Sequence, residues 1–158
     1  MSKRNVAACL LTGLTLLVWI PRSAAQAGDV AVVVNPYSRV TNLSLVDLRK
    51  IFAGERRTWP GGIPVKLVLR APGGHERLVF LKLLGMSESE YKQYWAAQTF
   101  RGEADSEPFT APSLGMTIEA TKVFPGAISM VDAKDVRAGI KVIKLDGRLP
   151  GEPGYPLH

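Results

Sequence analysis

The 158-residue chain carries 20 Lys and Arg against 14 Asp and Glu, a formal net charge of +6, and one cysteine. Its basic residues are scattered in runs of at most two, so the sequence does not support a nucleic-acid-binding surface. With one cysteine and two histidines, the chain offers neither a disulfide framework nor a His and Cys metal cluster, and no cofactor is expected.

The first 27 residues have the layout of a secretory signal peptide. A basic pair at 3–4 precedes an apolar run at 6–20, and the small-x-small sequence AQA at 25–27 is typical of a cleavage site. The alternative is a retained membrane helix, but the run has 15 residues and a bilayer needs about 20. We therefore expect cleavage after Ala27 and a periplasmic mature chain without cysteine, with 17 basic and 14 acidic residues and a net charge of +3.

The mature chain begins with strands that alternate with helices. Residues 30–36 are mostly β-branched and end in Asn-Pro, a pattern typical of a strand buried on both faces. A helix is predicted at 44–54, because Ser44 and Asp47 can cap its first turn and Gly54 can end it. Residues 63–70 then predict a second strand that ends at Arg70.

The remaining segments predict three helices, two strands, one loop and a tail. The helices are expected at 76–84, 87–100 and 116–124, the loop at 101–113, the strands at 127–131 and 140–145, and a flexible C-terminal tail at 148–158.

This order of elements predicts an α/β fold with a mainly parallel sheet flanked by helices. We expect a single domain at residues 28–147, with one antiparallel strand compatible with the pattern. The predicted core includes Leu48, Phe52, Val79, Phe80, Leu83 and Ile128.

The stretch RAPGGHE at 70–76 is the candidate ligand site, because a strand, a glycine turn and a helix start can hold an anion on free N–H groups. Gly73 and Gly74 allow close approach to the backbone, Arg70 offers a guanidinium fork, and His75 adds a donor. Glu76 favours the alternative of a turn without a ligand, since a carboxylate there satisfies the helix dipole and repels an anion.

The segments VVVNP, NLSLVDLRKIFAGERRTWPGGIPVKLVLRAPGG and PGAISMV, between Val30 and Val131, resemble the periplasmic phosphate-binding proteins of ABC transporters. The resemblance implies one lobe of a two-lobed periplasmic-binding-protein-like fold and a non-enzymatic role. It also implies phosphate or another small anion as ligand and a membrane transporter as partner. The family's turn has the pattern R-x-x-x-S-G-T, and here Gly74, His75 and Glu76 replace its last three residues, which implies weak binding.

A second function stays open, in which the lone lobe docks on a membrane transporter or sensor through the edge that a second lobe would otherwise cover. An enzyme is not expected. The mature chain has no cysteine nucleophile and no G-x-S-x-G motif, and His75 and Glu76 point about 100° apart on a helix.

Overall fold

The computed structural model describes residues 28–158, so the predicted signal peptide lies outside the described residues. These residues form seven strands, four α-helices and one short 3₁₀ helix. The strands are β1 (Val30–Val34), β2 (Asn42–Leu43), β3 (Lys66–Arg70), β4 (Phe109–Ala111), β5 (Ala127–Asp132), β6 (Lys141–Val142) and β7 (Lys144–Leu145). The helices are α1 (Leu45–Phe52), α2 (His75–Leu84), α3 (Glu88–Phe100) and α4 (Leu114–Val123), and the 3₁₀ helix is Ala133–Asp135.

Five strands form one sheet in the order β4-β3-β5-β1-β6. β3 runs parallel to β4 and β5, whereas β1 runs antiparallel to β5 and β6. The sheet is therefore mainly parallel with β1 as its one antiparallel member, which confirms the predicted fold class. The predicted strand at 140–145 divides, because β6 joins this sheet while β7 pairs with β2 in a separate two-stranded sheet.

The sheet is covered on both faces, as the β-branched sequence of β1 predicts. Val30, Val32 and Val34 pack in a large core with α1, α2 and α3, while Ala31 and Val33 pack on the opposite face against residues that include Leu114 of α4. All five residues of β1 are fully buried. The other predicted core residues are buried too, except Leu83, which is half-buried.

The helix ends follow the capping residues seen in the sequence. Ser44 accepts a hydrogen bond from the Asp47 N–H at 3.0 Å, and Ser87 forms a reciprocal capping box with Glu90. Gly85 ends α2 in a left-handed conformation, with φ of 69°. Local sequence therefore determines where α1, α2 and α3 begin or end.

The prediction of a flexible tail at 148–158 is wrong. Tyr155 and Leu157 are buried in the large core. The Tyr155 hydroxyl donates to the Val30 carbonyl at 2.7 Å, and the Val30 N–H donates to the Leu157 carbonyl at 2.9 Å. The high Pro and Gly content of residues 148–158 prevents a helix or strand there. It does not prevent burial, because the large apolar side chains of Tyr155 and Leu157 pack in the core and hold the segment against the sheet.

Across residues 28–158, every helix is too short or too polar to cross a bilayer.

Candidate functional site

The strand–turn–helix predicted for residues 70–76 is present at the carboxyl edge of the sheet. β3 ends at Arg70, and Gly74 is the N-cap of α2 with extended backbone and no side-chain capping bond. Gly73 has a φ of 108°, a backbone conformation that residues other than glycine rarely adopt. The turn therefore places Arg70 beside the first N–H groups of α2.

The Glu76 carboxylate lies inside this turn. Its Oε1 is 3.3 Å from Nε of Arg70, and 9% of its side chain is exposed against 25% for Arg70. A Cβ built on Gly74 would lie 2.7 Å from the same Oε1, so the carboxylate folds back over the N-cap. The chain's own carboxylate thus sits where a bound anion would contact both Arg70 and the start of α2.

Arg70 retains one donor that Glu76 does not use. Its Nη1 is buried and has no hydrogen-bond partner in the part of the chain that the structure describes. A guanidinium nitrogen that has left water without a new partner is costly, so the arrangement of this turn carries an energetic penalty at Arg70.

His75 contacts a residue at the end of β5. Its Nδ1 lies 2.8 Å from Oδ1 of Asp132. The other carboxylate oxygen of Asp132, Oδ2, lies 4.0 Å from Nζ of Lys134. Sequence reasoning missed Asp132. The carboxyl ends of parallel strands meet at one edge, but the sequence alone did not show that β3 and β5 are neighbours.

All five predicted site residues therefore lie at one edge, and their charges are mostly paired within the chain. A second helix, α4, also begins at this edge after the parallel strand β4, and Ser113 caps it by accepting from the Met116 N–H at 3.2 Å. Among residues 28–158, no three His, Cys, Asp or Glu side chains are grouped so as to hold a metal ion. The arrangement offers an anion the N–H groups at the start of α2 and one guanidinium, with the Glu76 carboxylate in competition for them.

Several solved structures of phosphate-binding proteins have this architecture. An ABC-type phosphate transport receptor from Vibrio cholerae matches with a TM-score of 0.63 and 21% identity, over 78% of this chain and 48% of that one. A phosphate ABC transporter substrate-binding protein with bound phosphate from Clostridium perfringens gives 0.65 and 18%, over 82% and 52%. PstS from Borrelia burgdorferi gives 0.58 and 15%, over 78% and 49%.

The chain has the fold of one lobe of these phosphate-binding proteins. It spans about half the length of the solved structures it matches. The sequence matches no protein-family model and no curated protein.

Two residues in the segments that resemble phosphate-binding proteins form hydrogen bonds that stabilise this lobe. Asn35, after β1, donates its amide to the carbonyls of Lys122 at 2.8 Å and Phe124 at 3.1 Å, which closes the end of α4. The Trp59 indole donates to the Gly126 carbonyl at 2.9 Å and packs in the core. Both contacts lie at the amino edge of β5, away from Arg70.

Proposed function

We propose that the protein is an exported, non-enzymatic binding protein for a small anion, with phosphate as the first candidate and a membrane transporter as its partner. The observation that carries the proposal is the Arg70 guanidinium, with 25% of its side chain exposed, beside the start of α2, whose N-cap Gly74 offers no side-chain hydrogen bond. The likeness of the fold to phosphate-binding proteins supports the same conclusion.

The expected affinity is weak, because Glu76 competes for the same positive groups. An anion must displace the carboxylate from Arg70 or bind next to its negative charge. The turn also lacks hydroxyl donors at positions 74 and 76, and a single lobe leaves the site open to water and salt.

Exchange of Glu76 for Thr is expected to tighten phosphate binding, and Arg70→Ala is expected to abolish it. Glu76→Thr adds a charge-assisted hydrogen bond to phosphate, and Arg70→Ala removes one. Each such bond contributes about 1.5–3 kcal/mol, which corresponds to roughly 10- to 150-fold in affinity. Calorimetric titration of phosphate at low salt measures both effects, and raising the salt concentration should weaken binding. Glu76→Gln separates loss of the charge from gain of the hydroxyl.

The matched control is Arg39→Ala, which removes one exposed positive charge far from the turn and should leave the titration unchanged. If the Glu76→Thr protein shows no phosphate binding at millimolar concentration, the anion site is refuted and the turn is architecture alone.

Export is expected to remove residues 1–27. Intact mass measurement of the protein recovered from the periplasmic fraction should give a chain that starts at Gly28. A retained N-terminus, or a lipid adduct on Cys9, contradicts this part of the proposal.

A further inference from the structure

A cavity of about 620 Å³ lies at the amino end of β3, at the opposite edge of the sheet from Arg70. The ladder between β3 and β4 begins at Val68 and Phe109, so the segments that precede these residues do not pair with each other and flank the cavity. The volume falls within the roughly 300–1,000 Å³ of small-molecule sites in proteins.

The two sides of the cavity carry opposite charges. One side consists of Gly54, Arg56, Arg57 and residues 64–67, joined by a hydrogen bond from the Val65 N–H to the Arg57 carbonyl at 2.8 Å, and it presents Arg57 and Lys66. The other side, residues 104–108, presents Asp105 and Glu107. Within residues 28–158, none of these four charged side chains forms an ion pair.

Between the charged sides the lining is apolar and aromatic. Ile51, Leu67 and Trp95 line the cavity, together with Phe109 and Phe124, whose rings meet edge to face at 5.8 Å and stay partly exposed. Trp95 is buried and forms part of this lining.

We propose that this cavity binds a small zwitterion with an apolar body, of the class of apolar dipeptides. Arg57 and Lys66 attract the terminal carboxylate, Asp105 and Glu107 attract the ammonium group, and the apolar lining accepts the side chains. An inorganic anion would contact only the positively charged side of the cavity and would leave the apolar lining of the cavity exposed to water.

The test is calorimetric titration of the mature protein with leucyl-phenylalanine and with its N-acetyl and C-terminal amide forms. Each blocked form is expected to bind about fivefold more weakly, the effect of losing one exposed ion pair. Lys66→Ala should reduce the difference in affinity between the amide and the free acid, with Arg57 still present, while the acetyl effect persists. The double change Asp105→Asn, Glu107→Gln should remove the effect of the acetyl group, while the difference between the amide and the free acid persists.

Two control variants test whether the effects on dipeptide binding depend on the cavity residues. Lys82→Ala makes the same charge change on the exposed face of α2, outside the cavity lining, and should not alter dipeptide binding. Arg70→Ala should also leave it unchanged, so failure here is distinguishable from failure of the anion site. The proposal is overturned if the dipeptide does not bind at millimolar concentration, or if the blocked forms bind as well as the free one.

Discussion

Phe80→Ala is expected to lower the free energy of unfolding by about 3–5 kcal/mol, the range for removal of a buried phenyl ring. Phe80 is 2% exposed in the centre of α2. Its ring meets the rings of Phe52 and Tyr91 edge to face at 5.3 and 5.2 Å, and the Arg77 guanidinium lies 5.1 Å from it. One side chain thus joins α1, α2 and α3, and little nearby can collapse to fill its space.

Denaturant unfolding followed by circular dichroism measures this loss. The matched control is Leu78→Ala, two residues away on the same helix, where the side chain is 63% exposed. Its effect should stay within about 0.5 kcal/mol. A loss below about 1 kcal/mol for Phe80→Ala would show that this face of α2 does not pack on the sheet.

The elements that the sequence predicted well are those specified by neighbouring residues. Ser44 with Asp47, Ser87 with Glu90, and Gly85 determine helix ends within one turn of the chain, so local patterns locate them. β4 was missed because it has only three residues inside a polar segment and exists through pairing with β3. The docking of Tyr155 was missed for the same reason, since its partner is Val30.

The candidate site shows the same division between local and distant information. The sequence predicted the turn and the approach of Arg70 to the start of α2, because both follow from a strand, two glycines and a helix in succession. It also indicated that Glu76 opposes an anion. The pairing of His75 with Asp132, 57 residues apart, depends on β3 and β5 being neighbours, which no local pattern specifies.

Gly126→Ala is expected to destabilise the protein by about 2–5 kcal/mol, although it adds only a methyl group. Gly126 has a φ of 77°, which costs other residues about 1–2 kcal/mol, and a Cβ there would overlap the Pro64 carbonyl oxygen, a backbone atom that cannot rotate away. Relief of such an overlap by local shifts costs a further 1–3 kcal/mol or so. Those shifts would disturb the bonds that the Gly126 carbonyl accepts from Lys66 N–H and the Trp59 indole.

Gly147→Ala provides the matched control, because Gly147 has a φ of 79° and a Cβ added there would meet no atom within 4 Å. It should lose only the conformational part, about 1–2 kcal/mol, when both variants are unfolded in denaturant. Equal losses for the two glycines would contradict the contact with Pro64. A larger loss at Gly126 would explain why Pro-Gly-Ala belongs to the pattern that this chain shares with phosphate-binding proteins. The glycine lets β5 begin against the turn that holds Trp59, so this part of the resemblance specifies the fold of the lobe.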